Sequence, residues 1–266
     1  MAVVSKADLS YLSPLFELTS FLIDDDDPDR VTFGLAEADA DSSLSRDNEG
    51  TEGYWVSIIV DQAITAALDH AIALRDLVSS GKITYSAPWT ILRGVLEPAA
   101  LAVWVLNGGT RQRRQERALR VWHHDYVERQ KWEDEIGHVP VAPAKSGRVR
   151  AAEVITVARS LGLRGNQVAP RLGYADIVAH AGEAVGWKRG VAAGRWRESS
   201  GFAHGRYWPL MHLSHPMSAE RIRGGFTVAL TLGEEHHQEL ARLAAALLER
   251  AITDYAKAAA GVSAIS

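Results

Sequence analysis

The sequence contains no cysteine, and this absence restricts the chemistry that the protein can perform. Disulfide bonds, thiolate nucleophiles and cysteine-bound zinc or iron–sulfur sites are excluded. Any catalytic group must therefore come from histidine, arginine, serine or the carboxylates. The sequence also lacks a glycine-rich phosphate loop and a βαβ pattern, and we expect no cofactor.

Long apolar runs are scarce as well. The longest, PAALAVWVL at residues 98–106, is much shorter than the roughly 20 residues that cross a bilayer. Residues 1–18 lack the basic start, apolar run and small-residue cleavage site of a signal peptide. These features predict a cytoplasmic location and no membrane partner.

Positive charge is in slight deficit over the whole chain, because 29 Lys and Arg face 33 Asp and Glu, a formal net charge of −4. This balance argues against a protein that coats nucleic acid or membrane. Basic residues nevertheless outnumber acidic ones between residues 148 and 223. One basic face is predicted there, with RNA or a nucleotide as the expected partner.

Residues 24–53 are rich in carboxylates and poor in apolar side chains. This composition predicts a flexible acidic linker after a short N-terminal helix or pair of turns at residues 7–22. Residues 1–53 would then precede a helical domain at 54–266. A calcium loop is the alternative interpretation, but the spacing and glycine of an EF-hand are missing, and we expect no metal site.

From residue 54 onward, apolar residues recur at the spacing of an α-helix, which predicts an all-α fold built as one helical bundle. Pro98 predicts a kink in the second long helix. The predicted helices are 54–81, 86–109, 110–137, 148–162, 174–186 and 234–260, and 224–232 alternates like a lone strand.

One polar stretch, GRWRESSGFAHGRYWPLMHLSH at residues 194–215, combines three Arg, three His, two Trp and two adjacent Ser. Six residues separate Arg197 from His204, so on a helix the two lie two turns apart on nearly the same face. A histidine can remove the proton of a ribose 2′-hydroxyl while a guanidinium holds the adjacent phosphate. Such a pair can cleave RNA without a metal.

The same Arg-to-His spacing also occurs elsewhere in the chain, so the spacing alone does not identify a site. The other matching pairs are Arg117 with His123 or His124, and Arg206 with His212. Arg117 falls in a densely charged helix, where solvated pairs four residues apart are the ordinary explanation. The polar stretch differs because Ser199, Ser200 and Gly201 leave room for a ligand.

Four segments, TILRGVLEPAALAVWVL, RQRRQERALR, YADIV and ESSGFAHG, resemble a widespread group of bacterial helical proteins related to HEPN and abortive-infection domains. The resemblance spans residues 54–260. In that pattern an Arg and a Glu one turn apart on an early helix accompany a late Ser-x-x-x-His-Gly. Here these positions are Arg93 and Glu97, then Ser200, His204 and Gly205. The spacing of Arg197 and His204 also resembles the signature of HEPN ribonucleases.

The resemblance implies an all-α, HEPN-like up-and-down bundle that forms a homodimer, in which the Arg and His near a helix start meet their dimer mates in a shared cleft. It implies a metal-independent endoribonuclease of a toxin or phage-defence kind. His204 would act as general base or acid, Arg197 as phosphate clamp and Ser200 as a positioning hydroxyl. The expected substrate contacts are Arg93, Glu97, Arg195 and Arg206.

Two features qualify this expectation. Glu198 stands where the family often has a small polar residue, which predicts a carboxylate where phosphate should approach. Arg93 and Glu97 lie on an otherwise apolar helix, where isolated charges are costly. They are expected either as an internal ion pair or as part of a polar cluster that reaches His204.

Three alternative interpretations remain. The first is a non-catalytic scaffold that binds a nucleotide or a protein, with the Arg/His/Glu cluster as a structural network; burial of His204 would favour it, and exposure would favour catalysis. The second is a di-iron bundle using Glu135-x-x-His138 and Glu234-x-x-His237 with Glu97 and Glu183. The third is a helix-turn-helix at 151–178, which Pro170 would interrupt.

Overall fold

The computed structural model describes residues 9–19, 35, 37–81, 84–141, 145–231 and 233–261. This part of the chain is mostly helical, which confirms the all-α class. A 3₁₀ turn at Ser10–Leu12 precedes the first helix. In chain order the elements are α1 (Ser13–Glu17), α2 (Ser43–Asn48), α3 (Val56–Ser79), α4 (Ala87–Leu106), α5 (Arg111–Ile136), α6 (Gly147–Ser160), α7 (Gly165–Val168), α8 (Tyr174–Ala184), α9 (Arg189–Ala203), α10 (Tyr207–His212), β1 (His215–Ile222), β2 (Gly225–Thr231) and α11 (Glu234–Ala259).

Helix α4 lies at the centre of the main core because apolar residues cover most of its circumference. Trp89, Leu92 and Leu96 are fully buried in it, and α3, α8, α9 and α11 all pack against it. The helix continues through Pro98, where the sequence predicts a kink. Every element that approaches α4, including α9, is therefore positioned by this one apolar helix.

Helices α3 and α4 are also long and apolar enough, by length and composition, to cross a membrane. A core helix of a folded protein can pass the same criterion. Here the two helices contact each other extensively and bury their apolar side chains in the main core. Their composition therefore says little about where the protein resides.

Helix α5 begins and ends where local sequence signals place its ends. The Thr110 side chain accepts a hydrogen bond from the Arg113 backbone N–H at 3.2 Å, and Gly137 closes the helix with a left-handed φ of 67°. Helix α6 packs along α5, and the two bury a smaller core that includes Leu119 and Val154. The long charged helix is thus held on one side by the main core and on the other by α6.

The structure differs from the predicted acidic linker over residues 37–53. Helix α2 packs on α3 and α5 with Leu44 and Asp47 buried. Asp47 forms a two-bond ion pair with Arg114 of α5, with Nε–Oδ2 at 2.5 Å and Nη2–Oδ1 at 2.8 Å. The average composition of residues 24–53 does not predict this helix, because one buried leucine and one paired carboxylate are enough to hold it against α3 and α5. The rest of the predicted linker, apart from residue 35, lies outside the described residues.

Strands β1 and β2 form an antiparallel hairpin where the sequence predicts a lone strand at residues 224–232. The pairing runs from His215 opposite Thr231 to Ile222 opposite Gly225, with an irregularity after Pro216. The β1 segment, HPMSAERI, contains a proline and charged residues instead of apolar alternation, so it carries little strand signal. The hairpin connects α10 to α11.

The alternative helix-turn-helix at residues 151–178 is not supported. Helix α7, which would have to be its recognition helix, has only 4 residues, Gly165–Val168. Pro170 follows two residues after its end, where the sequence predicts an interruption. A helix this short cannot lie along a major groove and present several side chains to base edges.

Candidate functional site

The candidate site lies at the C-terminal end of α9, and α4 holds that end in place. Ala192, Ser199 and Phe202 form the buried face of α9. The Phe202 ring stacks on Trp89 of α4, with centroids 4.4 Å apart and planes 23° apart. Aromatic pairs in this geometry add to the stability gained by burial. The opposite face of α9 is therefore presented to solvent at a fixed position.

Gly205 ends α9 and determines where His204 lies. Its φ is 61°, in the left-handed region that glycine adopts without strain. The Arg206 N–H donates to the Gly201 carbonyl at 2.8 Å, and the Gly205 N–H donates to the Phe202 carbonyl at 3.1 Å. This Schellman motif makes His204 the C-cap, with an exposed side chain.

The Arg197 and His204 pair therefore lies at the end of a helix, whereas the family resemblance implies a position near a helix start. Arg197 is two turns before the C-terminus of α9, and His204 is the residue that follows its last turn. The two still share one side of the helix, as their spacing predicts. The difference in position arises because Gly205 terminates the helix immediately after the histidine.

Gly201 allows α10 to fold back against α9. A Cβ atom at this position would overlap the Pro209 side chain and would lie 3.3 Å from Cζ2 of Trp208. Both of those residues belong to α10, whose Pro209 is buried. The missing side chain thus brings Trp208 close to α9, where its indole forms a wall of a groove.

We expect Gly201→Ala to lower the free energy of unfolding by about 1–3 kcal/mol, because the added methyl group must displace α10. Gly194→Ala is the matched control in the same helix, where a Cβ would meet nothing within 4 Å. That control should stabilise the protein by up to about 1 kcal/mol, as alanine is the better helix former. Urea unfolding of both variants measures the difference; equal stabilities would contradict the close approach at Gly201.

An open groove of about 380 Å³ lies between α9 and α10. Its lining residues are Trp196, Arg197, Ser200, Gly201, His204, Arg206 and Trp208. The structure thus brings four of the sequence-predicted site residues into one place, three of them, Arg197, His204 and Arg206, exposed. Ser200 is half-buried between them. Two guanidinium groups, an imidazole and a hydroxyl are thereby available to one ligand.

The two tryptophans of the groove were not predicted as site residues. Trp208 is 43% exposed, and the Trp196 ring centroid lies 6.0 Å from Cζ of Arg197. Trp196 is half-buried. An exposed indole beside guanidinium groups, such as that of Trp208, is a surface on which unpaired bases stack. The presence of the two tryptophans in the otherwise polar stretch 194–215 was the sequence signal that could have identified them.

Arg93 and Glu97 form an internal ion pair that also reaches the groove through Trp196. Arg93 Nε and Glu97 Oε1 are 2.8 Å apart, with side chains 23% and 18% exposed. Glu97 Oε1 also accepts a hydrogen bond from Trp196 Nε1 at 2.5 Å. Neither charged residue lines the groove. Their contacts orient the indole, which differs from the direct substrate contact that the sequence predicts for them.

Arg195 and Glu198 lie on the side of α9 that faces α11. Arg195 forms ion pairs of 2.6 Å with Glu198 and with Glu239, and its Nη1 lies 2.6 Å from Nδ1 of His236. The Glu198 side chain is only 13% exposed. Arg195, which the sequence predicts as a substrate contact, therefore binds α11 and does not line the groove. Glu198 does not line the groove, because successive residues of a helix point about 100° apart.

The rival Arg and His spacings are explained by ordinary packing. The Arg117 guanidinium lies 5.0 Å from the centroid of the Trp104 ring and donates to the Trp104 carbonyl. Burial lowers the pKa of Arg117 and the pKa values of His123 and His124. The third pair is split, since Arg206 lines the groove and His212 does not.

The di-iron alternative finds no support in the part of the chain that the structure describes, which contains no group of three or more potential metal ligands. His237 is fully buried, and its Nδ1 lies 2.6 Å from the Tyr11 hydroxyl. His138 instead packs against the Trp132 ring, with centroids 5.1 Å apart.

Comparison of the chain with protein-family models, with curated protein sequences and with solved structures found no significant match. The resemblance to HEPN-related proteins therefore stays a sequence-based expectation. Any function must be argued from the side chains of the groove and from their surroundings.

Proposed function

We propose that the groove between α9 and α10 is the active site of a metal-independent endoribonuclease of HEPN type. The observation that carries the proposal is the convergence of Arg197, Ser200, His204 and Arg206 on one open groove. His204 is exposed there. A histidine buried with both ring nitrogens paired would instead indicate a structural role.

The chemistry assigned to these groups is an internal transesterification. His204 removes the proton of a ribose 2′-hydroxyl, and the resulting oxygen attacks the adjacent phosphorus. The bond from phosphorus to the 5′-oxygen breaks, and that oxygen takes a proton from an imidazolium or from water. The products carry a 2′,3′-cyclic phosphate and a 5′-hydroxyl.

Charge and shape both favour a single-stranded polynucleotide in this groove. Arg197 and Arg206 can offset the negative charge that grows on the phosphoryl oxygens, and Ser200 can donate a hydrogen bond to one of them. The nearest carboxylate in sequence, Glu198, is bound to Arg195 on another side of the helix. Trp196 and Trp208 supply stacking surfaces for the flanking bases.

The proposal includes a HEPN-like bundle and a homodimer. Helix α10, beside the groove, exposes 72% of Tyr207 and 46% of Met211, neither of which lines the groove. Neighbouring apolar side chains exposed to this degree are typical of a protein–protein contact. A second copy docked through α10 would bring two grooves together, as the family resemblance implies.

The test is cleavage of a labelled structured RNA by the purified full chain in EDTA. His204→Ala and Arg197→Ala should each lower the cleavage rate by about 10²–10⁴-fold, because each removes a group that acts in the transition state. His138→Ala and Arg148→Ala are matched controls, since both replace exposed side chains outside the groove and outside α10. These controls should cleave like the unmodified protein and leave 2′,3′-cyclic ends.

Mixing the two inactive variants tests the dimer. If Arg197 and His204 act from different protomers, subunit exchange should restore about a quarter of the activity, because half of the dimers then contain one intact site. No restoration would mean that each groove acts alone. An inert unmodified protein, with both variants several degrees less stable to heat, would overturn the ribonuclease proposal and favour a non-catalytic scaffold that binds a nucleotide or a protein.

A further inference from the structure

A second cavity, of about 410 Å³, lies where α5, the start of α8 and the start of α9 meet. Its basic lining residues are Arg113, Arg117, Arg120, Arg171, His180 and Arg189. Among the described residues that line it, Asp176 is the single carboxylate. Arg113 is paired with Glu116 at 2.8 Å. Five guanidinium groups around one cavity still repel each other, and a bound anion would reduce this repulsion.

Arg117 is half-buried and has spare hydrogen-bonding capacity. Its guanidinium packs over the Trp104 ring, and its buried Nε has no hydrogen-bond partner in the described part of the chain. Burial, together with the positive charge of Arg113, lowers the pKa of Arg117. The charged guanidinium of Arg117 is therefore destabilised when no anion is bound, and a bound anion would stabilise it.

The other arginines are held in place but keep free donors. Arg120 donates from Nε to the Pro170 carbonyl at 3.0 Å and from Nη2 to the Arg171 carbonyl at 2.7 Å, which fixes the loop before α8. The Arg171 side chain is exposed and has no ion-pair partner among the described residues. Arg189 contacts Asp176 and Glu183, each at 3.4 Å. These side chains can turn toward a ligand without breaking a close ion pair.

Helix α8 adds a second source of positive potential. Its N-cap is Gly173, which lines the cavity and has no capping side chain. The first-turn N–H groups of this 11-residue helix carry partial positive charge. Those of Asp176 and Ile177 donate to the Gly173 carbonyl at 3.0 Å, and the Asp176 carboxylate lies in the same turn, so at most the N–H groups of Tyr174 and Ala175 are left for an anion. The helix terminus and the arginines therefore attract the same kind of ligand from two independent directions.

We propose that this arginine cavity binds a phosphate group, either a free phosphate compound or the terminal phosphate of a nucleic acid. Planar guanidinium groups match phosphate oxygens two at a time, and several can surround one phosphate. The proposal does not rest on ribonuclease activity in the groove. Arg189 is the first residue of α9 and His204 follows its last, so the two sites lie about 22 Å apart along the helix.

Calorimetric titration of the full chain with inorganic pyrophosphate at low ionic strength tests the site. Arg171→Glu and Arg189→Gln should each weaken pyrophosphate binding by about tenfold or more, because each removes a cation from the cavity. Arg148→Glu is the matched control, with a side chain that is 78% exposed and lies outside the cavity. Arg197→Ala is titrated in parallel, because Arg197 lines the groove and this variant reports pyrophosphate that binds there instead of in the cavity.

Two results would overturn the proposal: no measurable binding of pyrophosphate, or equal binding by the unmodified chain, Arg171→Glu and Arg189→Gln. Loss of binding only in Arg197→Ala would assign the anion to the groove and would also overturn the proposal of a cavity site.

A second experiment compares one short RNA that carries either a 5′-phosphate or a 5′-hydroxyl. Tighter binding of the phosphorylated form, sensitive to Arg171→Glu, supports a terminal phosphate; pyrophosphate binding without that preference supports a free phosphate compound.

Discussion

Asp47→Ala should lower the free energy of unfolding by about 3–5 kcal/mol, the largest effect that we expect from a single substitution away from the groove. The Asp47 side chain is 2% exposed, and both of its oxygens bind Arg114, whose side chain is 20% exposed. Removing the carboxylate leaves a poorly solvated guanidinium without its charge partner. It also weakens the contact between α2 and α5, which would keep the hydrogen bonds from the Gln115 amide to the Asp47 and Glu49 carbonyls.

Glu49→Ala is the matched control for this prediction. Glu49 pairs with Arg111 at 3.0 Å and so joins the same two parts of the chain, but the two side chains are 64% and 44% exposed. Exposed pairs contribute up to about 1 kcal/mol, and Glu49→Ala should cost no more than that. Urea unfolding of both variants provides the comparison. A loss below about 1 kcal/mol for Asp47→Ala would show that residues 37–53 are not an integral part of the fold.

The long helices could be predicted from the sequence because their signals are local. The prediction of 54–81 corresponds to Val56–Ser79, and 110–137 corresponds to Arg111–Ile136. Apolar periodicity and end residues such as Thr110 and Gly137 act within a few residues of the feature they determine. Helix α2 was missed because its stability depends on Arg114, a partner 67 residues further along the chain.

Part of the groove could be predicted for the same reason. Arg197, Ser200 and His204 lie on one side of a single helix, so helical geometry alone brings them together. The ion pairs of Arg195 with Glu198 and with Glu239 were not predicted, because the second of them depends on the position of α11. The indole wall depends on the close approach of α10 at Gly201, which is a matter of tertiary packing.

The arginine cavity could not be predicted from the sequence. Its arginines come from α5, from the loop before α8 and from the start of α9, and no motif joins them. From the sequence, Arg113 and Arg117 are expected to be solvated side chains of a charged helix. Only the packing of three helices turns such residues into one basic surface.

The groove depends on a column of aromatic rings that starts in the core. Tyr11 contacts His237, His237 meets the edge of Trp89 with centroids 5.1 Å apart, and Trp89 stacks on Phe202 of α9. His237 is thus the one titratable imidazole in a column that otherwise supports α9 with uncharged rings. A charge at this position would weaken the packing beneath the groove.

Acid should therefore destabilise the protein through His237. Burial lowers the pKa of His237 from 6.5 to about 4, and the backbone of Pro88 has a smaller, opposite effect. Between these two values the unfolded chain binds a proton that the native protein does not, so the free energy of unfolding falls as the pH falls. The loss is absent above about pH 6.5 and complete below about pH 4, and its full size is on the order of 3 kcal/mol.

His237→Gln tests this assignment because glutamine stays neutral and can still accept a hydrogen bond from Tyr11. Urea unfolding at about pH 7.5 and about pH 4.5 should show a smaller loss of stability for this variant than for the unmodified chain. His212→Gln, which replaces an exposed histidine of α10, should keep the loss unchanged. If His237→Gln loses as much stability in acid as the unmodified chain, the acid sensitivity belongs to other groups. If it loses less, the same buried imidazole that helps to hold α9 also determines the lowest pH at which the groove is intact.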